Sequence, residues 1–128
     1  MAIVKQTALF VGWGGLYPGR EHFALDGFHE WVAILDELKT KGEIEDYLTV
    51  VLGPHGGELD GFTLVFGDPV KLMQITERED MRRLRLLTER EFAKFSMIPA
   101  ISGERVEEEF KLLEEELLPI LERTPVAV

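Results

Sequence analysis

Trp13, Tyr17, Arg20 and His22 are the residues whose chemistry and spacing best suit a site. They sit on and beside Gly14 to Glu21, a turn-rich stretch with Pro18 and Gly19 between an apolar run and a helical pattern. Where a strand hands over to a helix, backbone N–H groups and the positive end of the helix dipole open outward. Arg20 in that position can clamp a carboxylate or phosphate. Trp13 and Tyr17 offer flat apolar walls, and His22 can take or give a proton near neutral pH. The expected site therefore has His22 as acid–base and Trp13, Tyr17 and Arg20 as ligand-binding residues. The same residues also have a structural use: Gly and Pro make the turn, Trp13 fills the core, and Arg20 pairs with a glutamate. The glycine run is not a phosphate-binding loop, since no Gly-Lys-Ser/Thr follows it and it does not match Gly-x-Gly-x-x-Gly.

Other constellations carry less. His22, Asp26 and His29 lie at i, i+4 and i+7, a spacing that can hold zinc on one helix face. That face is opposite the Ala24–Phe28–Trp31–Leu35 stripe and lacks an implied outer shell, so a solvated polar face is the preferred reading. No metal and no cofactor are expected. His55, in Gly53-Pro54-His55-Gly56-Gly57, is either a turn tip or a residue reaching a ligand held at Arg20, and both readings stay open. Ser96 and Ser102 are the only serines, and neither lies in a nucleophile elbow. The chain has no cysteine, which excludes disulfides and thiolate chemistry.

The elements that must position these residues belong to a chain of 128 residues and 14.6 kDa, the size of one domain over 1–128. With 45% hydrophobic and 30% charged residues it has a globular composition. A net charge of −10 disfavours nucleic acid and anionic membranes as partners. No stretch approaches the ~18 apolar residues of a membrane span, and Lys5 and Gln6 stand where a signal sequence would be apolar. A cytoplasmic location is the expectation.

Ala8 to Trp13 reads as a buried strand ended by Gly14-Gly15. From Arg20 to Lys41, Ala24, Phe28, Trp31, Leu35 and Leu38 repeat at helical spacing, and Gly42 stands at the C-cap. Tyr47 to Leu52 and Phe62 to Phe66 read as a hairpin. Asp68-Pro69 starts a helix, and Thr76 with Glu79 looks like a capping box restarting it, giving a broken segment to about Arg90. Phe92 to Ile101 is the fourth strand. Ser102 caps a last helix with a Val106, Phe110, Leu113, Leu117, Ile120 stripe and glutamate-rich other faces. The order is the ferredoxin-like βαββαβ arrangement: an α+β fold with a four-stranded antiparallel sheet, helices on one face and an extra C-terminal helix.

The strands are apolar on both faces, Leu9, Val11 and Trp13 against Ala8 and Phe10 in the first. Something must cover the second face, either the last helix or, preferably, the sheet of a second subunit in a homodimer. The arrangement resembles the dimeric α+β barrel superfamily. Gly12-Trp13-Gly14, Pro18-Gly19-Arg20-Glu21, Gly42-Glu43-Ile44-Glu45, Pro54-His55-Gly56-Gly57 and Gly61-Phe62 resemble a group of uncharacterised bacterial proteins of that kind. The resemblance implies a homodimer packed sheet to sheet and no assigned activity. The superfamily includes cofactor-free monooxygenases, isomerases and lyases, but none of their catalytic motifs maps onto this chain.

Two functions follow as expectations. One is a small-molecule-binding protein with its pocket between sheet and helices, taking a small anionic or aromatic ligand; if it is an enzyme, its chemistry is proton transfer or cofactor-free oxidation. The other is a non-catalytic protein whose fold serves assembly. The ligand end should be where the first strand meets the first helix, because the Asp68 carboxylate already occupies the other helix start. Arg20 and His22 turned into an enclosed pocket would favour binding; both splayed into solvent over a filled interior would favour assembly.

Overall fold

A computed structural model of the chain describes residues 6–123, with side chains described to residue 120. The expectation about the start of the chain at residues 1–5 lies outside the described positions. The elements are β1 (Thr7–Leu16), α1 (Glu21–Thr40), β2 (Asp46–Val51), β3 (Gly61–Phe66), α2 (Pro69–Thr76), α3 (Glu79–Glu91), β4 (Phe92–Ile101) and α4 (Glu104–Arg123). The sheet order is β2-β3-β1-β4 with every neighbouring pair antiparallel. This is the ferredoxin-like α+β arrangement with an added C-terminal helix.

Local chemistry sets most element ends. The Asp68 carboxylate accepts the Lys71 N–H at 3.1 Å and Pro69 occupies the first turn of α2. Gly42 takes the left-handed φ of 72° that stops α1. Two expectations are corrected. Thr76 does not cap α3: its hydroxyl donates to the Met73 carbonyl at 2.6 Å, and Arg78 stands at the N-cap without a side-chain capping bond. Gly14-Gly15 does not end β1, whose pairing with β4 runs on to Leu16 opposite Phe92. A Cβ at Gly14 would lie 1.7 Å from the Glu58 carbonyl oxygen, so the glycine admits the β2–β3 connection against the strand rather than breaking it.

The core lies between the helices and one sheet face. Leu9, Val11 and Val65 from the sheet meet Trp31, Leu35, Leu38, Leu72 and Met81 from the helices. Each such side chain contributes about 1.5–3 kcal/mol on burial. The opposite face carries Phe10, Leu48, Val50, Phe62, Leu64 and Ile98, aligned by the cross-strand register. Phe10 and Phe62 stack there with centroids 5.5 Å apart, while Leu48 and Ile98 remain 51% and 52% exposed.

The last helix does not cover that face. Phe110 on α4 is 60% exposed, and Leu113, Leu117 and Ile120 are exposed with it. Two apolar surfaces therefore stand open in one chain. No helix among the described residues is long and apolar enough to cross a membrane.

Candidate functional site

A pocket of ≈ 330 Å³ opens between α1, α3 and the helix-facing side of the sheet. β1 and β2 run parallel, each antiparallel to β3, so their C-terminal ends share one edge. Trp13 and Leu16 from β1 and Val51 from β2 place the pocket at that edge, where β1 hands over to α1. Buried Val11, Trp31, Met81 and Leu84 form its inner wall, and Trp13, Phe28 and Phe95 give it aromatic sides. Trp13 meets Phe28 edge-on at 6.4 Å between centroids.

The polar lining is sparse: Glu21, Arg85, Thr88 and Glu91. Met81, Leu84, Thr88 and Glu91 recur at steps of three and four along α3, so the buried side of that helix ends in a carboxyl group. Glu91 Oε2 lies 3.6 Å from where a Cβ on Gly27 would stand, so the carboxylate spans the opening toward a side-chain-free spot on α1. Burial pushes the Glu91 carboxyl above its ordinary value, with Arg20 and Arg90 pulling it back and Asp26 adding to the rise. The Glu91 backbone carbonyl accepts the Tyr17 N–H at 2.8 Å, which ties the β1–α1 loop to the end of α3.

Of the residues expected at the site, Trp13 lines the pocket and the other three do not. Tyr17 is 46% exposed on the adjoining loop. The Arg20 guanidinium sits over the Phe23 ring at 5.5 Å and acts on Glu91 only through its field. The His22 side chain is 82% exposed and pairs with Asp26 at 3.4 Å, out in solvent. No group of three or more His, Cys, Asp or Glu suited to a metal occurs among the described residues. His55 spends both ring nitrogens within its own loop: Gly57 N–H donates to Nδ1 at 3.1 Å, so Nε2 carries the proton and donates to the Leu59 carbonyl at 2.7 Å.

Sequence reasoning passed over Thr88 and Glu91. Their signal was present, since these polar residues continue the buried period of Met81 and Leu84. A charged group on the apolar face of a helix needs a reason to be there.

No family model matches the chain, and no curated protein does either. Solved structures do share its fold. The chain is similar to an ethyl tert-butyl ether d (EthD) family protein from Bacillus halodurans at 9% identity and a TM-score of 0.55, over 77% of this chain and 99% of that one. It is similar to a dimeric ferredoxin-like protein of unknown function from Thermobifida fusca at 11% identity and a TM-score of 0.53, over 80% and 96%. A hypothetical Arabidopsis thaliana protein matches at 11% identity and a TM-score of 0.57, over 80% and 94%. At these identities the likeness establishes the ferredoxin-like α+β fold. The class in hand is thus a ferredoxin-like domain with an apolar pocket between its sheet and helices.

Proposed function

We propose that this protein is a cytoplasmic, single-domain homodimer that binds a small, largely aromatic molecule in the pocket beside Trp13. The observation that carries this reading is the pocket itself, a cavity of ≈ 330 Å³ with aromatic sides and few polar groups. Ligand sites are typically concave and apolar with a few placed polar groups, as here. Tyr17, Arg20 and His22 stand on the approach to it rather than inside, so any proton transfer or oxidation would begin from groups nearer the wall than His22.

The homodimer is supported by the open sheet face and by the dimeric state of the Thermobifida fusca protein of like fold. With α4 lying free of its own sheet, its apolar stripe reaches onto the partner. Assembly alone, without a ligand, is the competing reading, and the solvent-facing His22 is the observation that favours it.

The test is a thermal-shift screen of aromatic and small organic acid fragments against wild type and Ala24→Phe, a substitution that fills the pocket from α1. A ligand at about 100 times its Kd adds about 2.7 kcal/mol of stability, and Ala24→Phe should abolish that gain. Hits whose shifts persist in Ala24→Phe would place binding elsewhere. A screen without hits would leave assembly as the function.

A further inference from the structure

The pocket lining is charged in an unbalanced way. Glu21 and Glu91 face a single cation, Arg85. A carboxylate ligand would meet two carboxylates across from Arg85 there, and Arg20, which acts on Glu91 through its field, is held over Phe23 and does not line the space. A cationic ligand fares little better, because Arg85 lines the same space and Arg20 and Arg90 already act on Glu91. The walls that remain, Trp13, Phe28 and Phe95, suit a neutral aromatic body.

Glu91 is the polar group with unspent capacity. Its helical position continues the buried side of α3, and its Oε2 reaches across to Gly27 at the distance given above. Among the described residues, no N–H or O–H hydrogen-bonds its carboxylate and no cation pairs with it within 4.0 Å. A partly buried carboxylate at the mouth of an apolar pocket gains from a donor brought by the ligand, since hydrogen bonds to charged groups are the strong ones. Burial also pushes its carboxyl up, the direction expected where water is partly withdrawn from the group.

Resting on the pocket reading above, we infer that Glu91 is the polar anchor of the pocket, accepting a hydrogen bond from the hydroxyl of a neutral, otherwise apolar aromatic ligand. The class of ligand is thereby a phenol or aromatic alcohol and not an organic acid.

Calorimetric titration of the full chain at neutral pH with 2-naphthol, 2-methoxynaphthalene and 2-naphthoate tests this. In wild type, 2-naphthol should bind about tenfold or more tighter than its methyl ether, which has no donor, and 2-naphthoate weakest of the three. Glu91→Ala should bring the naphthol-to-ether ratio to about one while leaving the ether's own affinity in place. Glu91→Gln, which keeps the shape and removes the charge, should shift the preference toward 2-naphthoate. It decides the matter if Glu91→Ala proves unfolded by circular dichroism. An unchanged ratio in Glu91→Ala, or in Glu91→Gln no shift toward naphthoate, together with loss of all binding in Ala24→Phe, overturns the anchor and keeps the pocket. Failure of every probe to bind wild type, or binding that survives Ala24→Phe, overturns the pocket and the anchor with it.

Discussion

The indole N–H of Trp31 donates to the hydroxyl of Thr63 at 3.2 Å, joining the middle of α1 to the sheet beneath it. Thr63 is fully buried and lies 3.0 Å from the Thr49 hydroxyl, so one short chain of polar groups crosses the core and runs out to the edge strand. Trp31 also walls the pocket, and this bond holds its ring in place.

Thr63→Val should therefore destabilise the fold by about 1–3 kcal/mol, the cost of stranding a buried donor. Adding Trp31→Phe removes that donor, so the pair should cost less than the sum of the single changes. Urea unfolding of the two single variants and the double variant measures the coupling. Strict additivity would mean that the bond does not hold the ring.

Gly14→Ala should destabilise by about 2 kcal/mol or more, because its Cβ would enter the Glu58 carbonyl, a backbone group with no room to turn aside. At Gly19, with φ of 83° and nothing within 4 Å of a Cβ, alanine should cost only about 1 kcal/mol of backbone strain. Chemical denaturation of both variants gives the ranking, and Gly19→Ala proving the costlier would contradict the close approach at Gly14.

The pH dependence of stability should carry a contribution from Glu91. Its carboxyl is raised in the folded state, first by burial, so the unfolded chain releases this proton at lower pH than the folded one. The associated stability is fully present below the ordinary value of about 4.3 and is lost as pH rises through the higher folded value. Glu91→Gln should thus gain on wild type between about pH 4 and pH 7, by less than ~1 kcal/mol for so solvent-screened a group. Thermal melts across that range show the gain, or its absence.

Sedimentation at micromolar concentration should find a species of about twice 14.6 kDa. Leu48→Asp with Ile98→Asp places two charges on the open sheet face and should return the protein to monomer without loss of helix content, since both side chains are half exposed in the single chain. A monomeric wild type would remove the second subunit as the cover of that face.

Residues whose structure is decided by near neighbours were legible in the chain. Asp68-Pro69 opens α2, Gly42 stops α1, and β4 spans Phe92–Ile101 as its composition indicates, because caps, turns and alternation act within a few residues. The βαββαβ order follows from them. Gly14-Gly15 was not legible in the same way. Glycine marks both a strand end and a place where another backbone comes close, and only the Glu58 carbonyl arriving from 44 positions away distinguishes them.

The site divides along the same line. Trp13 lies on a strand whose inward side is fixed by alternation, so its place in the pocket could be read from its neighbours. His22 and Arg20 were judged by their nearness to a helix start, yet where a side chain on a first turn points depends on what packs beside it. Here Phe23 takes the guanidinium and Asp26 the imidazole, both within α1 itself. Glu91 is the converse: a surface-type residue by composition, it meets the pocket only because α3 packs against α1 at Gly27. Short-range periodicity tells which face of an element is apolar, but which polar group is drawn out of water depends on the element laid across it. That is a property of packing between segments far apart in the chain.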